Sequence, residues 1–170
     1  PGALRSLLLG GSYHVARFRS REFERRAVEA VRRAPPDVVL IESPFLLTYV
    51  PALRRATSAR LVLRSHNVEH RIWEALARSA DGVARRLYLG HLARRLRTFE
   101  LATLGDVDAI LPITAEDEAA YRALGAPVPL LTTPVGVHTA GVAARTGPGD
   151  PRALLFLGAL DWRPNLEAIR

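Results

Sequence analysis

The chain of 170 residues contains no cysteine. Disulfides and thiolate metal sites are therefore excluded, and a reducing compartment such as the cytoplasm fits. It contains no lysine either: all 24 cationic residues are arginine. Nucleic-acid surfaces normally mix the two. Arginine alone, beside abundant alanine and leucine, points to a GC-rich coding sequence, so the net charge of +7 is partly compositional. It still suits an anionic partner. Aromatic residues make up only 6% of the chain. No basic stretch is interleaved with them and no DNA- or RNA-binding motif occurs, so nucleic acid is not an expected partner. No run approaches the ~18 apolar residues of a membrane span. The chain opens on Pro1 without a signal-peptide layout, and trimming at its start is expected.

What is present is an alternation. Residues 22–33 place Phe23, Ala27, Val28 and Val31 on one helical face and arginines on the other. Pro35-Pro36 ends that helix. "DVVLIES" at 37–43 reads as a buried parallel strand. A helix over 45–56 and a second strand, "RLVLRS" at 60–65, follow. "VEHRIWEALARSA" is helical, and Asp81-Gly82 breaks it. The longest helical pattern, 84–104, aligns Tyr88, Leu92, Leu96, Phe99 and Thr103 against Arg86, Arg94 and Arg97. A third strand is expected at 108–114, an acidic-capped helix closed by Gly125, and a fourth strand with a Pro/Gly turn within 128–137. Residues 139–152 are rich in glycine and proline, a linker signal. An apolar strand at 153–157 and a helix entry at Pro164 then begin a second unit. Buried strands alternating with amphipathic helices predict an α/β fold, a Rossmann-like parallel sheet flanked by helices.

Ligands of open parallel sheets bind beyond the carboxyl ends of the strands. Three loops start there: Glu42-Ser43-Pro44, Ser65-His66-Asn67 and Thr114-Ala115-Glu116. The second loop runs into His66-Asn67-Val68-Glu69-His70, which matches the H-x-x-E-H pattern of one class of zinc peptidases. Zinc binding would need both imidazoles one turn apart on a helix and a third ligand from elsewhere. His66 directly follows a strand, and Glu116, Asp117, Glu118 and His138 form no recognisable third-ligand motif. The alternative is a strand-end histidine facing a cleft, able to meet a phosphate or orient a hydroxyl. Asn67 is then either an anion- and sugar-binding helix start or a plain cap, and His70 either a site residue or a surface one.

The serial order "PPDVVLIESP", "ARLVLRSHNVEH", "FELATLGDVDAILPITAEDEAAYRALG", "PLLTTPVGV", "ALLFLGALDWRPNLEAI" resembles glycosyltransferases of the two-domain GT-B fold, family 4. The resemblance covers nearly the whole chain. It implies metal-independent transfer of a hexosyl group, usually with retention, from a nucleotide sugar to a glycan or lipid-linked acceptor. It needs no cofactor beyond that donor substrate. On this footing residues 1–138 are part of the acceptor-side domain, 139–152 the linker and 153–170 the start of the donor-side domain. The family's Gly-rich first turn and paired glutamates are missing, so a middle piece, inactive alone, is expected. The resemblance implies His66 beside the reacting sugar. It implies acceptor contacts from Glu42 and Ser43, with Asn67 and Glu69 in the same loop region. It implies donor contacts from Gly136, Gly158, Asp161, Arg163 and Asn165. Val135 stands where the family usually has asparagine, and Gly158-Ala159 where it often has Gly-Arg. A non-catalytic α/β ligand-binding or assembly domain is the alternative.

The arginine-rich faces at 17–33 and 85–97 have two readings: a solvated exterior, which composition favours, or a peripheral dock on an anionic membrane. Trp73 is expected to anchor its helix in the core. Trp162 lies in a polar turn suited to stacking on a base or a sugar.

Overall fold

The computed structural model describes residues 12–141, 147, 150, 152–160, 165–166 and 169. The chain divides into two compact units, Pro1–Val135 and Gly136–Arg170. In the first unit the β-branched runs form β1 (Val38–Ile41), β2 (Arg60–Ser65) and β3 (Ala109–Pro112), a parallel sheet of order β1-β2-β3. Helices α1 (Tyr13–Ala16) and α2 (Arg21–Arg33) precede β1. A 3-10 turn (Pro44–Tyr49) and α3 (Val50–Ala56) link β1 to β2. The α4–α5 hairpin (Glu69–Arg78 and Val83–Thr103) links β2 to β3, and α6 (Ala115–Ala123) follows.

Local chemistry sets the ends of these helices. Ser20, Ser43 and Thr114 each accept a backbone N–H at a helix start. Gly82 (φ 80°) and Gly125 (φ 76°) take the left-handed region at the entry of α5 and just past α6, where a side chain would be strained.

The strand order advances in one direction. Right-handed crossovers therefore lay the linking helices on one face. Burial follows: Ile41, Leu61, Leu63 and Ile110 are buried together with Leu47, Val50, Leu53, Leu104 and Tyr121. The register puts Val38 and Leu40 beside Arg60 and Val62 on the other face, where both apolar side chains are exposed. The expectation that 37–43 is a fully buried strand is thus corrected: among the described residues β1 is an edge strand with one open face.

The predicted fourth strand reduces to a single parallel bridge, Ile110 to Leu130. Ile110 N–H donates to the Pro129 carbonyl, Leu131 N–H to Ile110 and Thr133 N–H to Pro112. Pro127, Pro129 and Pro134 cannot donate, so no longer ladder forms. The helix expected over 45–56 begins as the 3-10 turn and becomes α-helical at Val50.

The second unit is described only in part. Residues 153–157, expected as a strand, are not one; Leu154, Leu155 and Leu157 are exposed and make no strand pairing among the described residues. Asp161, Trp162, Arg163 and Pro164 lie outside the described residues.

Candidate functional site

At the carboxyl edge of the sheet, β1 runs out into Glu42 and β2, ending at Ser65, into His66-Asn67. The parallel pairing of Ile41 with Leu63 brings these ends together. His66 Nε2 lies 3.0 Å from Glu42 Oε2, and the Arg64 guanidinium lies 3.5 Å from Glu42 Oε1. The ionised carboxylate is an acceptor, so Nε2–H donates and Nδ1 has no partner among the described residues. The pair is open to solvent, with 52% and 46% of the two side chains exposed.

Behind this pair the loop is fixed from beneath. The Ser65 hydroxyl donates to the Asn67 carbonyl at 2.7 Å and shares a 2.7 Å hydrogen bond with the Tyr121 hydroxyl. Tyr121 is also 3.3 Å from the Asn67 carbonyl. Burial, moderated by the Ser65 bond, pushes the Tyr121 phenol up, so it stays protonated and can donate.

Helix α4 starts at Glu69 with no capping side chain of its own; its cap position is Val68. The cap comes from α5. The Glu100 carboxylate accepts from Glu69 N–H at 3.0 Å and His70 N–H at 2.9 Å, and bonds His70 Nδ1 at 2.6 Å. Both partners of the last pair are buried, with 3% and 2% of their side chains exposed. Asn67 is therefore not the helix cap, and His70 is not a surface residue. Glu100 takes the N–H groups that a local cap would have taken.

The two histidines of the H-x-x-E-H pattern answer to different glutamates, one at the rim and one in the interior. They do not converge on a common point, so the pattern does not build a zinc site. Among the described residues no group of three or more His, Asp or Glu could hold a metal ion.

Glu69 is the remaining rim carboxylate. Burial raises its pKa and the Glu100 charge raises it further, while the Asn67 side chain and His66 act the other way. Ser43 accepts from Phe45 N–H, so its hydroxyl both starts the 3-10 turn and keeps its proton for donation. The structure thus brings Glu42, His66, Asn67 and Glu69 to one edge, with Ser43 adjoining. Thr114 and Glu116 start α6 at the end of β3, and Thr114 caps it.

In the second unit, Gly136 stands in open space. Gly158 and Asn165 are brought together: a Cβ at 158 would meet the Asn165 amide at 2.8 Å, and that amide donates to the Ala159 carbonyl at 2.9 Å. Trp73 is half-buried and stacks on the buried His14 ring, centroids 3.9 Å apart.

Reasoning from sequence placed Ser65 in the strand-end loop without its bracing role, and missed Glu100 and Tyr121. Glu100 carried one signal. It is the sole acidic residue of α5 and falls four residues after Leu96, on the apolar stripe. The Tyr121–Ser65 contact carried none, because it spans two elements far apart in sequence.

Compared with protein-family models, with curated proteins and with solved structures, the chain matches none.

Proposed function

We propose that this chain is the acceptor-side part of a GT-B glycosyltransferase resembling family 4. It would move a sugar from a nucleotide-sugar donor to a hydroxyl of a glycan or lipid-linked acceptor, without a metal ion. The observation that carries this reading is the Glu42–His66 pair, exposed at the carboxyl edge of a parallel sheet and fixed in place by Ser65, Tyr121 and Glu100. Ligands of parallel sheets bind at that edge. In this reading Glu42 holds His66 through Nε2 and leaves Nδ1 for a sugar hydroxyl. Asn67, Glu69 and Ser43 supply the further hydrogen bonds that a polyhydroxylated ligand requires. The donor contacts fall to the second unit, to Gly136, Gly158 and Asn165 with Asp161 and Arg163. Arg163 there would meet the diphosphate charge.

The test is sugar transfer from labelled nucleotide hexoses by a protein in which both modules are complete. His66→Ala is expected to lower transfer about 100-fold or more, with Glu42→Gln a smaller loss. Undiminished transfer by His66→Ala removes the reading. Binding of nucleotide sugar without any transfer marks a binding module instead.

A further inference from the structure

The two arginine-rich helices, alike in sequence, differ in structure. On α2 the middle of the helix is charge-paired: Arg25 meets Glu22 at 2.8 Å and Glu29 at 2.6 Å, and Arg26 meets Glu22 at 2.7 Å. On α5, the five arginines share the helix with a single acidic residue, Glu100, which is buried and committed to α4. Among the described residues no carboxylate pairs with Arg85, Arg94 or Arg97.

Helical spacing sorts the outer residues of α5. Val83, Leu87, Arg94 and Arg97 follow one another at i, i+4, i+11 and i+14, a single outward stripe. Its first half is apolar and uncovered: Val83 is 71% exposed, Leu87 66%, and the neighbouring Tyr88 38%. Its second half is cationic, and with Arg71 of α4 it lines an open groove in which Glu74 is the only carboxylate. Arg85 and Arg86 flank the apolar end. Because the stripe changes character half-way, an average over the whole helix hides it.

Val83, Leu87 and Tyr88, exposed on the same helix as Arg94 and Arg97, do not match an ordinary solvated face. They match a helix that lies in a lipid interface, apolar side chains below the headgroups and guanidinium groups on the phosphates. No helix among the described residues is long and apolar enough to cross a membrane, so the contact is peripheral. We propose that the α4–α5 hairpin docks this protein on an anionic phospholipid surface. Val83 and Leu87 insert while Arg94 and Arg97, on the same stripe, hold the phosphates. The proposal is independent of the sugar-transfer reading and survives its failure.

The experiment is co-sedimentation of the chain with phosphatidylcholine vesicles and with vesicles rich in phosphatidylglycerol, at low and high salt. Binding to the anionic vesicles alone is expected, weakened by salt. The pair Val83→Ser/Leu87→Ser, which leaves every charge in place, lowers it about tenfold. Arg94→Gln/Arg97→Gln lowers it by a similar factor. All four positions are on the outer face, and unchanged circular dichroism verifies the fold. Equal binding to neutral and anionic vesicles overturns the proposal, as does a serine pair that binds like the parent chain. Tighter binding to a single-stranded oligonucleotide than to vesicles overturns it in favour of a nucleic-acid surface. So does a serine pair that dissolves a dimer without changing vesicle binding, in favour of a second copy.

Discussion

His66 and His70 lie four residues apart, and each holds a glutamate through one ring nitrogen. The first pair, at 3.0 Å, is half exposed at the rim of the sheet. The second, at 2.6 Å, is sealed beneath it, and its carboxylate also binds two backbone N–H groups. The same two residue types thus serve different ends. An exposed pair contributes little stability because water screens it, so its geometry is free to serve a ligand. A buried pair with both carboxylate oxygens engaged fixes a conformation, here the start of α4 and with it the loop that carries His66. The H-x-x-E-H string suggests one site shared by both histidines. The structure separates an exposed histidine at the rim from a buried one that fixes the loop carrying it.

The largest effect comes from breaking the buried pair. Glu100→Ala leaves the His70 ring and two α4 N–H groups without an acceptor, and about 3–5 kcal/mol of stability is expected to go. Glu100→Gln keeps one oxygen acceptor and loses less, about 1–2 kcal/mol. Urea denaturation of both variants checks the order. Tyr121→Phe removes the phenol that braces Ser65 and Asn67, and about 1–2 kcal/mol is expected. At the rim the account predicts the opposite: His66→Ala stays within about 0.5 kcal/mol of the parent.

Acid sharpens the contrast elsewhere in the sheet. The Asp108 side chain is held by Arg54 at 2.9 Å, by Leu61 N–H at 2.7 Å and by Arg60 at 3.3 Å, and the Arg54 bond leads in lowering its pKa. Thr132 and Arg122 lower that of Glu118. Both carboxyls titrate lower in the folded chain than in the unfolded one. Their stabilisation is therefore present above the ordinary carboxylate range near pH 4 and is lost as pH falls through the lowered folded values. Glu69 runs the other way. Its raised folded value means that ionising it costs stability as pH rises through that value. Asp108→Asn is expected to lose about 1 kcal/mol at neutral pH and to flatten the acid limb of the stability curve, readable by thermal unfolding between neutral and acid pH.

Much of the fold was legible because its signals are local. The three strands sit within two residues of the β-branched runs, and Gly125 closes α6 as its position implies. The open face of β1 was not legible. An unbroken apolar run looks the same whether one or both faces are covered, and only the strand order decides which. Charge pairing on α2 was readable from Glu22, Arg25, Arg26 and Glu29 at helical spacing, whereas composition alone made α2 and α5 look equivalent. At the site, the positions of Glu42, His66 and Asn67 were legible from strand ends, and that of Glu69 from the first turn of the helix that follows. Their support was not: Glu100 and Tyr121 reach the loop from elements 30 and 54 residues away.

The division between the two histidines is tested most directly by measuring His66→Ala and His70→Ala side by side. The readouts are thermal unfolding, and sugar transfer by a protein with both modules complete. His66→Ala should unfold with the parent and lose transfer, and His70→Ala should unfold well below it. A His66→Ala variant that transfers sugar normally, or that loses as much stability as His70→Ala, would contradict the account.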